Sequence, residues 1–235
     1  MTSRRRDLGA AVFALTVAAL CVRLGFWQLH RLQLRRAHNV RILAARERPP
    51  IDLTGRGLSA DSAQDRRIRA RGVYDYTHER VWAGRTREGA PGVAVLTPLR
   101  LPDGSGVFVD RGWVPSPDAH HVDLSPWREP DSATIRGLGL PAPRERGDVR
   151  PLTLADSLPY PLLPFVVQLL PVDSSRTRPA PLRWPAATPD EGPHLSYAIQ
   201  WFSFALIIVV GTMVVLGKTA SASRKIVPES RPGVR

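Results

Sequence analysis

The side chains able to do chemistry are few in this sequence and thinly spread. Among 235 residues there are six histidines and one cysteine, Cys21. None sits in a Gly-x-Ser-x-Gly elbow, a His-Glu-x-x-His helix, a Walker loop or a Gly-x-Gly-x-x-Gly turn after a strand, so no enzyme activity is expected. The densest polar cluster is Asp118-Ala-His-His-Val-Asp123, whose Asp118, His120, His121 and Asp123 are of metal-ligand type. It follows Trp113 at a short remove and reads as an exposed loop. A lone cysteine makes neither an intramolecular disulfide nor a four-thiolate zinc site, and with two methionines copper carriage is disfavoured. What remains is two sets at helical spacing. His194, Tyr197, Ala198 and Trp201 stand at i, i+3, i+4 and i+7, and Arg23, Trp27, His30 and Arg31 at i, i+4, i+7 and i+8. Each set puts an imidazole and at least one aromatic side chain on one helix face.

Both sets lie at the ends of apolar stretches. Leu195 to Leu216 runs for 22 residues without a charge. At about 1.5 Å per residue it spans roughly 33 Å, enough for a bilayer core of about 30 Å. Asp190 and Glu191 precede it and Lys218, Arg224 and Lys225 follow it, so its C-terminal end is expected in the cytoplasm. Leu8 to Val22 is shorter, but residues 24–29 extend it to membrane length, with Arg23 snorkelling at the outer boundary and Trp27 in the interfacial aromatic belt. The rival is a cleaved signal peptide. Basic residues 4–6 and a 15-residue apolar core fit it, whereas Ala-Ala-Leu-Cys at 18–21 is a poor lipoprotein box and Asp7 spoils a twin-arginine pattern. A retained helix is the favoured reading. Arg31, Arg35, Arg36 and Arg41 leave its orientation open, and the second stretch decides it, with both termini cytoplasmic.

Between the apolar stretches the sequence reads as β-rich. Candidate strands are 67–74, 79–84, 92–99, 106–114, 133–138 and 165–170, each bounded by Gly, Pro, Asp or Ser. In Gly106-Val-Phe-Val-Asp-Arg-Gly-Trp-Val114, Val107, Val109 and Arg111 fall on one face and Phe108, Asp110 and Gly112 on the other. Short, regularly spaced strands with Pro-rich loops favour a small antiparallel sheet or barrel over a parallel α/β sheet. Stretches 141–164 and 171–193 read as irregular, and His38 and His78 as solvated. The expected organisation is a cytoplasmic N-terminus 1–7, a transmembrane helix 8–29, its helical continuation 30–48, an extracytoplasmic β-rich domain 49–193, a second transmembrane helix 194–217 and a basic cytoplasmic tail 218–235.

The formal net charge is +12. A nucleic-acid surface needs such charge concentrated, but outside Arg4, Arg5, Arg6 and the C-terminal tail the basic residues are interspersed with nearly all the acidic ones. No nucleic-acid partner is expected.

Five blocks in order carry a resemblance: Arg23-Leu-Gly-Phe-Trp-Gln-Leu-His-Arg31, Arg71-Gly-Val-Tyr-Asp75, Thr97-Pro-Leu99, Val109-Asp-Arg-Gly-Trp-Val-Pro115 and Pro193-His-Leu-Ser-Tyr-Ala-Ile-Gln-Trp201. They resemble the signature blocks of the SURF1 family of cytochrome c oxidase assembly factors over nearly the whole chain, with Asp110 where Asn is expected. The resemblance implies two membrane helices flanking a domain outside the bacterial cytoplasm. It also implies binding of haem a, its transfer to oxidase subunit I, and haem A synthase as a further candidate partner. The short stretch before Leu8 is read as favouring a bacterial plasma membrane over a mitochondrion. A scaffold that stabilises a subunit I intermediate without touching haem is the alternative.

With haem a as the implied cargo, His194 is the expected axial ligand. It begins a helix, whose N-terminal dipole favours the neutral imidazole that iron requires. Tyr197, Trp201 and Trp27 would wall the macrocycle, and Arg23 and Arg31 would pair with its propionates near the outer membrane boundary. His30 is the rival ligand. Tyr74, Arg111, Gly112 and Trp113 read as fold determinants or partner surface.

Overall fold

The computed structural model describes residues 3–53, 57–142, 158–171 and 180–224. The tail beyond Arg224 and much of the two stretches expected to be irregular lie outside these. Contacts divide the chain into two units, residues 1–39 with 190–235, and residues 40–189.

The first unit is a helix pair. Helix α1 runs from Ser3 to Glu47. It continues past the apolar stretch because residues 30–47 contain no Gly or Pro and are rich in Leu, Ala and Arg, all good helix formers. It ends just before Pro49 and Pro50, which disfavour helical backbone ahead of them. Helix α3, His194–Arg224, closes the described chain. On α1 the buried positions Ala11, Ala18, Cys21, Gln28, Leu32 and Asn39 recur every three, four or seven residues, one seam along one face. Ala198 and Ala205 of α3 are buried too, and Phe202 packs edge-on against Phe26 with ring centroids 5.3 Å apart. Small residues let two backbones approach, as in membrane helix pairs. The larger apolar side chains, among them Leu8, Phe13, Leu206, Ile207 and Met213, point outward. Both helices are long and apolar enough to cross a membrane.

The second unit is a β-barrel. Its strands are β1 Ile51–Asp52, β2 Arg67–Tyr74, β3 Arg80–Arg87, β4 Ala90–Arg100, β5 Gly106–Pro115, β6 Ser132–Pro141 and β7 Leu162–Leu169, with a single helical turn, α2 Ala60–Ala63, before β2. All six candidate strands exist, most of them longer than read from sequence, and the two-residue β1 is additional. Strand order is β1-β2-β6-β7-β5-β4-β3, and a further β2–β4 pairing at Val73↔Arg100 and Tyr74↔Leu99 closes β2, β6, β7, β5 and β4 into a five-stranded barrel. The sheet is not wholly antiparallel: β5 and β7 run parallel, as do β1 and β2. Ile68, Ala70, Leu99, Val107, Val109, Phe165 and Val167 fill the interior. The alternation read for β5 holds, but its other face is buried as well, Phe108 packing with Leu96 and Val166 against Trp82.

Candidate functional site

A groove opens where α3 begins. Gly192, with φ of 70°, turns the chain into Pro193, whose carbonyl accepts the Tyr197 N–H at 3.1 Å to start the helix. The turn is tied to α1 by polar contacts. Arg36 forms a bidentate pair with Glu191 at 2.9 and 3.0 Å, while Arg35 Nε and Asn39 Nδ2 both donate to the Asp190 carbonyl, at 2.9 and 3.1 Å. These contacts hold His194 against α1, where its Nδ1 lies 2.9 Å from Oε1 of the buried Gln28. An amide oxygen only accepts, so Nδ1 donates its proton there, and in the neutral tautomer that this selects the lone pair falls on Nε2. That arrangement, one imidazole nitrogen fixed and the other free, is the one metal-ligating histidines use. A side chain at Gly192 would put its Cβ 3.6 Å from Nε2.

The groove, about 290 Å³, is lined by Arg31, Leu34, Arg35, His38, Gly192 and His194. The structure therefore brings His194 and Arg31 together. It does not bring the other expected residues to this groove. Trp27 and Tyr197 are 52% and 45% exposed, Arg23 and His30 face outward, and Trp201 stands edge-on to Phe204. His38, read as merely solvated, lines the groove instead. Gln28, Leu34, Arg35 and Gly192 were not singled out from sequence. Arg35 and His38 continue the Arg31 stripe at i+4 and i+7, a signal present in the helical spacing.

In the barrel, Arg111 is wholly buried and fully engaged. It donates to Glu79 at 2.6 Å, to Glu129 at 3.1 Å, to Thr97 at 3.4 Å and to the Trp127 carbonyl, and lies near the Tyr74 and Tyr76 rings. Arg183 also pairs with Glu129. Burial opposes ionisation of Glu129, yet the Arg183 and Arg111 charges hold its carboxyl below the ordinary range. This is a structural ion cluster. Gly112 has φ of 114°, and a Cβ there would lie 2.4 Å from the Leu182 carbonyl oxygen, so the glycine is required. Trp113 exchanges two backbone hydrogen bonds with Leu182. These residues act as fold determinants.

The Asp118 loop is internally satisfied. The backbone N–H groups of His121 and His120, the His121 ring and the Ser116 hydroxyl converge on the Asp118 carboxylate and hold it well below the usual range. Among the described residues no group of three or more metal-ligating side chains is assembled.

Residues 15–206 match the sequence model of the SURF1 family. No curated protein matches the chain.

Proposed function

Since the chain belongs to the SURF1 family, and membership implies a role in cytochrome oxidase assembly, we propose that it holds haem a as cargo in the groove at the head of α3 and passes it to oxidase subunit I. In this reading α1 and α3 span a bacterial plasma membrane, both termini are cytoplasmic and the barrel is extracytoplasmic. The groove then lies near the outer boundary, where propionates reach water and the ring and its tail reach lipid. The observation that carries the reading is the Nδ1 of His194 fixed on Gln28, with Nε2 left to accept iron.

The surrounding residues fit the cargo. Arg31 and Arg35 supply guanidinium groups for carboxylates. Arg35 retains its terminal nitrogens for this, since only its Nε is spent on the Asp190 carbonyl. At about 290 Å³ the groove sits at the lower edge of small-molecule sites, about 300–1,000 Å³, so a macrocycle is gripped at one edge and left partly outside. Custody of that kind suits a carrier that must let go. No covalent bond of the cargo is made or broken by the protein. Haem A synthase is the natural donor and subunit I the acceptor.

The test is spectroscopic. Protein purified from cells that make haem a is expected to carry it, and His194→Ala to lose most of it. Unchanged haem content in the variant removes His194 from the site. Absence of haem from the wild-type protein favours the scaffold that stabilises a subunit I intermediate.

A further inference from the structure

The outward face of the β2–β6 ribbon carries a cluster of arginines. On β2, Ile68 and Ala70 point into the barrel, so Arg67, Arg69 and Arg71 alternate outward, and all three are exposed. They repeat at every second residue, about 6.6–6.8 Å apart along the strand. Arg136 of β6 is exposed as well and stands directly opposite Arg69. Among the described residues none of these four arginines forms an ion pair. The one carboxylate carried by β1, β2 and β6 is that of Asp52, exposed on the other side of Arg69. Like charges set opposite one another weaken a sheet. Nor do they guard an open edge, a common use of charge on strands, because β2 lies between β1 and β6, and β6 between β2 and β7. The face is therefore charged at a cost to the fold, which an anion from outside would offset.

We propose that Arg67, Arg69, Arg71 and Arg136 form a docking face for the phosphate headgroups of anionic phospholipids. Every cation on it is a guanidinium, whose planar fork matches phosphate oxygens two at a time. A protein partner would want apolar anchors at the centre of the patch. The other exposed outward side chains of the two strands are Thr134, Ser132 and Val73, of which only Val73, beyond the arginines, is apolar. A headgroup layer asks for charge alone and no matching shape. The chain also keeps such a surface within reach, since the barrel is joined at both ends to helices long and apolar enough to cross a membrane. The proposal rests on the membrane-spanning reading of α1 and α3 but not on haem, and it stands whether or not the groove at the head of α3 is filled.

The test uses the full-length protein, free of haem, in nanodiscs of phosphatidylcholine alone or with about a third of phosphatidylglycerol. Co-elution with the phosphatidylcholine discs reads the anchoring by itself, so a failure of docking there leaves the anchoring intact. A donor fluorophore is placed by Ser132→Cys, opposite Val73 and beyond the arginines, in a Cys21→Ala background, and a dilute headgroup-labelled lipid is the energy acceptor. At low salt, transfer is expected to be higher in the phosphatidylglycerol discs, and about 0.5 M NaCl should return it to the phosphatidylcholine level. Replacing Arg67, Arg69, Arg71 and Arg136 together by Gln should lower the ratio of docked to undocked barrel by at least about tenfold, with the near-ultraviolet circular dichroism of the barrel unchanged. Equal transfer in the two kinds of disc overturns the proposal. So does a phosphatidylglycerol response that survives high salt or the four substitutions. A poly-glutamate peptide that binds the four-arginine face in discs giving no lipid response reassigns the face to an acidic protein and overturns it too.

Discussion

Replacing Arg111 by methionine keeps most of the side-chain volume and removes every donor from the centre of the ion cluster. The cost is worked from what each partner has left. Glu129 keeps Arg183, 2.6 Å from one of its oxygens, and so stays compensated. Glu79, whose side chain is 4% exposed, keeps only the Thr97 hydroxyl at 2.8 Å and a distant Arg128 at 3.9 Å. A buried carboxylate deprived of its guanidinium destabilises a fold by about 3–5 kcal/mol. For a unit of roughly 150 residues each kcal/mol lowers Tm by about 2–4 °C, so the drop should be about 6–20 °C. Near-ultraviolet circular dichroism during heating reads this, because the Tyr74 and Tyr76 rings lie against Arg111. The decisive control is Arg111→Met combined with Glu79→Gln. With the orphaned charge removed as well, the double variant should be more stable than Arg111→Met alone. Equal stability of Arg111→Met and wild type within about 0.5 kcal/mol refutes the reasoning. So does a Glu79→Gln change that adds a further loss.

Other consequences follow from single groups. Burial pushes the Asp110 carboxyl from 3.8 up to about 6. A raised folded-state value means its favourable contribution is complete below about pH 4 and lost as pH rises through 6, a swing of about 3 kcal/mol. Asp110→Asn should therefore be more stable than wild type at pH 7.5, and the advantage should fade through pH 6 and vanish near pH 4 in thermal melts; a pH-independent gap contradicts this. Gln28→Leu should lower the haem-to-protein ratio of purified protein by removing the acceptor that orients His194, whereas Gln28→Glu, which keeps an acceptor, should retain it. Equal haem in both variants denies Gln28 a positioning role. Gly112→Ala forces a methyl group onto the Leu182 carbonyl at positive φ, and should cost at least about 1–3 kcal/mol by urea or thermal unfolding.

What could be read ahead of the structure, and what could not, divides along sequence distance. The strands were legible because alternation is local: β2 buries Ile68, Ala70 and Tyr74 and exposes Arg69, Arg71 and Val73. The length of α1 was legible from composition. Closure of the barrel rests on two residue pairs between β2 and β4 and on a parallel β5–β7 pairing, neither of which leaves a periodic trace. The Arg111 block was recognisable as a fold determinant, but its partners stand 32 and 18 residues away, at Glu79 and Glu129. At the candidate site, the imidazole and Arg31 were visible as spaced residues. The pairing of His194 with Gln28, 166 residues apart, depends on how two helices are rotated about their axes. That rotation is set by small seam residues such as Ala18 and Ala198, whose weak individual signal no spacing rule ranks above the neighbouring tryptophans.

The Asp110-Arg111 pair shows why a local reading of charge fails inside a sheet. Adjacent residues of opposite charge look self-neutralising in a sequence, yet a strand sends neighbours to opposite faces, so each must find partners on its own side. The register shift in β5, where Asp110 opposes Leu96, Gly112 opposes Val95 and Arg111 is the extra residue between them, gives the arginine its own direction. Arg111 meets two carboxylates, a hydroxyl and a carbonyl there. Asp110 meets one backbone N–H and an open cavity. Two neighbours in sequence thus end in different surroundings, one closed within an ion cluster and one bordering a cavity.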